Sequence, residues 1–206
     1  MQVVVGMLAF FIWLCLFITY KMRKADRERT ASIENFIETE REANETRRKD
    51  IDPSLFYTPD LSALPIRGDN SKQEEKVLKL SERTMIRFPG RVTNIELKKA
   101  YGPMQLEIIT QYEESFNSYL SALIELAEFR IENGLENEAL RILEHTLSLG
   151  SEYKKSYSLT ADLYAMAHNS EGLEGLLEMA EGRIFTDEGI KRWVLNMIRK
   201  KTEISV

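Results

Sequence analysis

The sequence predicts an all-α protein: a single transmembrane helix at the amino terminus, a charged juxtamembrane helix, and then a solenoid of short helix-turn-helix units. Three observations predict it. The first twenty residues carry no charged side chain. From Gln73 onward, apolar residues recur with a period near 3.6, the period of a helix with one buried face. Ten Gly and five Pro in 206 residues are too few for an all-β or collagen-like chain.

Val3 to Tyr20 is a nearly unbroken apolar run that includes Phe10, Phe11, Trp13 and Phe17. At about 1.5 Å per residue, roughly 20 helical residues cross a hydrocarbon core. A cleaved signal peptide would need a basic region before the run and a small-x-small cleavage site. Only Gln2 precedes the run, and Leu16 to Tyr20 offers no such site, so an uncleaved anchor over residues 1–20 is expected. Cys15 follows Trp13 and Leu14, which are too bulky for a lipoprotein cleavage site. Lys21, Arg23, Lys24, Arg27 and Arg29 follow the run directly. By the positive-inside rule the amino terminus lies outside and the rest of the chain is cytoplasmic.

Residues 21–50 hold nine basic and eight acidic side chains, with no Gly or Pro. Strong helix formers dominate, which predicts a solvated helix continuing the anchor. Ser32, Ile33, Phe36, Ile37 and Ala43 give it a narrow apolar stripe; the alternative, a coiled-coil dimer, needs such a stripe sustained over three or four heptads. Residues 51–72 change character. Pro53, Pro59 and Pro65 deny helix and favour extended or turn backbone. Yet Leu55, Phe56, Tyr57, Leu61, Leu64 and Ile66 are too apolar for a free linker, so this strip is expected to dock, on the chain's own helical domain or on a partner.

Residues 73–206 read as helices separated by turn signals. Val77, Leu78, Leu80 and Met85 share one predicted helix, closed by Phe88-Pro89-Gly90. Thr93 with Glu96 has the capping-box pattern, and Gly102-Pro103 stops the helix that follows. Gly134 and Gly150 end the next two helices, and Thr186-Asp187-Glu188 starts the last. A shift of 34 residues superposes Leu123 on Tyr157, Ala127 on Ala161, Phe129 on Leu163 and Leu143 on Leu177.

In this period, and in the placement of its residues, the segment resembles the tetratricopeptide repeat (TPR) family. Residues 120–153 supply Leu123, Leu126, Ala127, Ala139 and Leu143, and depart from the consensus at Arg130, Thr146 and Ser151. Residues 154–186 supply Tyr157, Ala161, Tyr164, Leu177 and Ala180, and depart at Thr160, Leu173 and Phe185. The resemblance implies a TPR-like domain over 73–206, with a capping helix at about 187–201. It also implies partner contacts from the first helix of each unit, carried by Ser121, Ile124, Glu128, Lys155, Ser158 and Asp162.

Charge is segregated. Residues 101–190 hold five basic and seventeen acidic side chains, flanked by segments of net +4 on either side. Such a block repels nucleic acid and favours a basic protein partner or the chain's own basic flanks. One Cys excludes a disulfide framework and a Cys-rich zinc site. His145 and His168 are the only histidines, and neither has the neighbours of a metal site. No phosphate-binding loop or nucleophile elbow occurs. No catalytic residue, cofactor, metal or small-molecule substrate is therefore expected. The expected function is that of a membrane-anchored scaffold or adaptor docking a cytoplasmic protein. The alternative is a structural subunit of a membrane complex, recognised mainly through its transmembrane helix.

Overall fold

The structure, a computed structural model, describes residues 2–69, 71–90 and 92–205, without the side chains of 2–12, 14, 15, 204 and 205. The protein is mostly α, three quarters helical, with eight helices among the described residues. In chain order these are α1 (Gln2–Glu45), α2 (Lys72–Ser81), α3 (Asn94–Tyr101), α4 (Pro103–Glu132), α5 (Glu136–Ser148), α6 (Lys154–Met166), α7 (Ser170–Gly182) and α8 (Glu188–Ser205). Two short strands, β1 (Phe56–Tyr57) and β2 (Met85–Ile86), pair antiparallel. Among the described residues no helix is long and apolar enough to cross a membrane. The span expected over residues 1–20 falls largely on residues whose side chains lie outside the description.

Two compact units divide the chain. The first comprises residues 1–50 and 93–106, the second residues 51–92 and 107–206. In the first unit α1 runs unbroken through the charged stretch, as its composition predicts. α3 lies against it, held by ion pairs from Lys98 to Glu40 and from Lys99 to Glu42, the latter at 3.3 Å. Thr93 forms the full capping box: its Oγ1 accepts from the Glu96 amide, and its own amide donates to Glu96 Oε2 at 2.7 Å. Gly102 ends α3 with φ 86°, and a Cβ there would sit 3.0 Å from the Arg47 carbonyl. The Lys49 amide donates to Tyr101 O at 3.0 Å, and Gln105 Nε2 donates to Lys49 O at 3.1 Å. Only glycine permits both this φ and this approach.

In the second unit, residues 51–66 form a strap. Asp52 and Asp60 each cap a 3₁₀ turn by accepting from the amide two residues on, at 2.9 Å and 3.0 Å. Between these turns β1 pairs with β2, and the Arg87 amide donates to Leu55 O at 2.9 Å. This differs from the sequence expectation for Met85. α2 ends at Ser81, and Met85 and Ile86 are fully buried in β2 instead of extending the helix. The helical spacing of Val77, Leu78, Leu80 and Met85 could not reveal a ladder partner about thirty residues upstream.

The remaining helices build two apolar clusters. The first joins Val77 and Leu80 of α2 to Leu120, Leu123 and Leu126 of α4 and Ile142 and Leu143 of α5. The second joins Tyr157 and Ala161 of α6, Leu173 and Leu176 of α7, and Val194 and Ile198 of α8. Ala127, Ala139, Ala161 and Ala180 are fully buried, where small side chains let helices approach closely. α5 spans 136–148 and α7 spans 170–182, so both ends are shifted by 34 residues. α8 packs on both α6 and α7. Asp187 starts it by accepting from the amides of Gly189 and Ile190.

All six positions at which the two units depart from the repeat consensus are buried. Thr146 Oγ1 and Thr160 Oγ1 each donate to the carbonyl four residues back, both at 2.7 Å. Ser151 and Ser156 share a hydrogen bond. Leu173 fills the second cluster, where Phe185 packs beside Tyr157 with ring centroids 5.7 Å apart. A buried hydroxyl that can bond its own helix removes the penalty of its polarity.

Candidate partner-binding surface

Arg130 is the sixth departure and the most consequential. Its side chain is 1% exposed and reaches three carboxylates. It pairs with Glu74 and Asp69 at 2.5 Å and with Glu138 at 3.4 Å. Arg67 pairs with Glu138 at 3.0 Å. Glu74 is itself buried, and its carboxylate accepts from the amides of Arg67 and Gly68 at 3.1 Å and 2.5 Å. The guanidinium thus fastens the segment preceding α2 to α4 and α5. Hydrogen bonds from Arg130 and from the Ser71 amide hold the Asp69 carboxyl down at about 2. The sequence signal for this network was a cation in place of an expected apolar residue; Glu138 lies eight residues on, but Asp69 and Glu74 lie about sixty residues upstream.

The strap lies on the same unit. Leu64 is buried in the first cluster, and Tyr57, Leu61 and Ile66 pack against that cluster half-buried. Tyr57 meets Phe116 edge-on at 5.3 Å and Tyr119 at 6.3 Å. Phe56 is 41% exposed and approaches Tyr112 at 6.1 Å. Leu55 is half-buried beside the ladder. Phe56, Tyr57, Leu61, Leu64 and Ile66 therefore pack on the chain's own helices, with Phe56 the most accessible of them, while Leu55 sits at the ladder. Under the strap, Tyr119 Oη and His145 Nε2 are buried without a hydrogen-bond partner among the described residues. Burial lowers the His145 pKa, with Asp60 opposing the shift, and raises that of Tyr119.

The residues expected to contact a partner are divided in location. Ile124 is buried at 4% exposure. Ser121 is half-buried on α4. Glu128 and Lys155 bring α4 and α6 together through an ion pair at 2.6 Å. Ser158 Oγ donates to Asp162 Oδ2 at 3.4 Å, and Asp162 also takes Lys201 from α8. This polar face is thus largely paired within itself, leaving Lys155 as its most exposed member.

The acidic block is neutralised in part by the basic flanks. Lys76 pairs with Glu125 at 2.7 Å and Arg199 with Glu181 at 2.7 Å. On α7, Glu171, Glu174 and Glu178 are exposed one turn apart along one face, and none is in an ion pair among the described residues. Loop ends also enclose an open cleft of about 640 Å³. Arg183 braces its wall, donating to Leu147 O at 2.6 Å and to Tyr157 Oη at 2.8 Å. The amide of Thr186 donates to Glu152 at 3.0 Å across the same wall. Burial and the neighbouring Glu114 raise the pKa of Glu113 in this cleft.

Among the described residues no group of three or more His, Cys, Asp or Glu side chains is placed to hold a metal ion. His168 is exposed, in a left-handed turn with φ 51°. The fold and this surface define a mostly α protein whose helical unit presents acidic and apolar side chains. The chain matches no protein-family model, no curated protein and no solved structure.

Proposed function

We propose that the protein is a membrane-anchored interaction scaffold or adaptor, with a TPR-like helical domain that docks a cytoplasmic protein. One observation carries this reading: α5 and α7 are displaced by 34 residues at both ends, each following a helix with a buried Ala at the close-packing position. Helix pairs repeated at this spacing leave faces for neighbours and partners to cover. The exposed glutamates of α7 suit a basic protein partner and oppose nucleic acid. The apolar run over residues 1–20, followed by five cations, supports a single-pass anchor with the amino terminus outside and the helical domain cytoplasmic. Tethering raises the local concentration of the docking domain at the membrane face. In this reading the protein is not an enzyme and takes no cofactor.

A second reading is that of a structural subunit of a membrane complex. It is favoured by Ile33, Phe36 and Ile37, which stand more than half exposed on α1 at the spacing of one helix face. Crosslinking in the native membrane separates the two, with the full chain and residues 21–206 captured in parallel. Partners retained by both forms support the scaffold. Partners retained by the full chain alone support the subunit reading. Specific partners in neither form would sink both.

A further inference from the structure

α1 joins three chemically distinct stretches in one unbroken helix, so their spacing along the axis is fixed. Trp13 and Phe17 stack at 5.5 Å, and Lys21 Nζ lies 5.8 Å above the Phe17 ring. Tyr20 is 66% exposed. Next come Lys21, Arg23, Lys24, Arg27 and Arg29, all exposed. Asp26 and Glu28 are the only acids among them in the sequence, and among the described residues their one ion pair is the loose Lys24–Glu28 contact at 3.8 Å. The acidic stretch begins at Glu34 and holds Glu34, Glu38, Glu40, Glu42 and Glu45 against one Arg.

At about 1.5 Å per residue the cations lie within roughly 14 Å of Tyr20, and Glu34 lies about 21 Å beyond it. The Debye length at physiological salt is about 8 Å. A charged surface at the level of Tyr20 therefore acts most strongly on Lys21, Arg23 and Lys24, weakens over Arg27 and Arg29, and is largely screened from the glutamates. The cations also point around the whole helix rather than along one side, because residues 21, 23, 24, 27 and 29 are spread over its circumference.

We propose that residues 21–29 of α1 form a collar that binds the anionic headgroups of the lipid leaflet at which the helix emerges. Only when α1 tilts toward the surface do the glutamates come within a Debye length of it, and their repulsion then opposes the helix lying down. This rests on the membrane-anchor reading above. It adds a lipid preference, which an anchor alone lacks, since a hydrocarbon core does not distinguish headgroups.

The test uses the full chain carrying Trp193→Phe, so that Trp13 is the fluorescent reporter. The protein is reconstituted into vesicles of equal phosphatidylcholine and phosphatidylglycerol, with acyl-chain bromine on one lipid or the other. The collar predicts stronger quenching by the brominated phosphatidylglycerol, with enrichment of about fivefold for each cation that meets a headgroup. High salt should reduce the preference. The variant with Lys21, Arg23, Lys24, Arg27 and Arg29 all changed to Gln should lose it, while keeping its helical circular dichroism. Equal quenching by the two lipids, or a preference that survives in the variant, overturns the collar and leaves the anchor standing. No quenching by either lipid overturns the anchor and the collar with it.

Discussion

Arg130 and Glu74 meet at 2.5 Å with both side chains only 1% exposed, across fifty-six residues of sequence. Two opposite charges removed from water hold each other only if both remain. Removing one partner of such a pair typically costs about 3–5 kcal/mol. Arg130→Ala should therefore destabilise the second unit by about that amount, leaving Glu74 buried and unpaired. Urea unfolding of the full chain measures it. A loss below about 1 kcal/mol would mean that the pair contributes no more than a surface contact.

Asp69 gives the same network a pH signature. Its folded pKa is about 2, depressed first by the hydrogen bond from Arg130. The folded state therefore holds this proton more weakly than the unfolded chain. The stabilisation is complete above the ordinary value of 3.8 and is lost as pH falls from there toward 2. Nuclear magnetic resonance titration should find the Asp69 carboxyl shifted down, and Arg130→Met should return it toward the ordinary value. An Asp69 titration unmoved by that substitution contradicts the geometry.

His145 titrates with the opposite charge but the same direction of stability. Burial, the larger influence, lowers its folded pKa below 6.5, and Asp60 raises it in part. Between the folded value and 6.5 the unfolded chain binds more protons, so stability rises with pH through that window and is full above it. Thermal midpoints should fall on acidification below about 6.5. His145→Phe should flatten that part of the profile, and an unchanged slope in this variant refutes the assignment.

Gly102 and Gly134 offer a controlled comparison. Both have positive φ, 86° and 71°. A Cβ at Gly134 meets nothing within 4 Å, whereas at Gly102 it would press on the backbone of Arg47 and Arg48 at 3.0 Å. Both Ala variants should be strained by about 1–3 kcal/mol from the positive φ alone. Gly102→Ala should cost more, and should expose the Lys49 amide, bonded to Tyr101 O, to hydrogen exchange. Equal exchange at Lys49 in the two variants would show that the close approach carries no energy.

Much of the fold was legible in local chemistry. Thr93 and Glu96 announce a capping box, Gly102-Pro103 a stop, Gly134 and Gly150 left-handed turns, and Asp187 a helix start; each appears as a cap or turn in the structure. These features depend on residues within a turn of one another, so the sequence order is also the spatial order. The candidate surface was less legible. Ile124 has the spacing of a contact residue but is buried, because burial depends on which helices come to lie on it.

The sequence by itself determined the helical periods, the caps, the charge segregation and the apolar run over residues 1–20. Only the tertiary structure decided that Arg130 would be a buried tie, that Met85 would join a strand with Tyr57, and that the strap would lie on α4 and α5. The physical reason is separation along the chain. A cap is completed by neighbours, whereas the partner of a buried charge or a lone strand is chosen by how distant elements close around it. Local propensity carries no information about that choice.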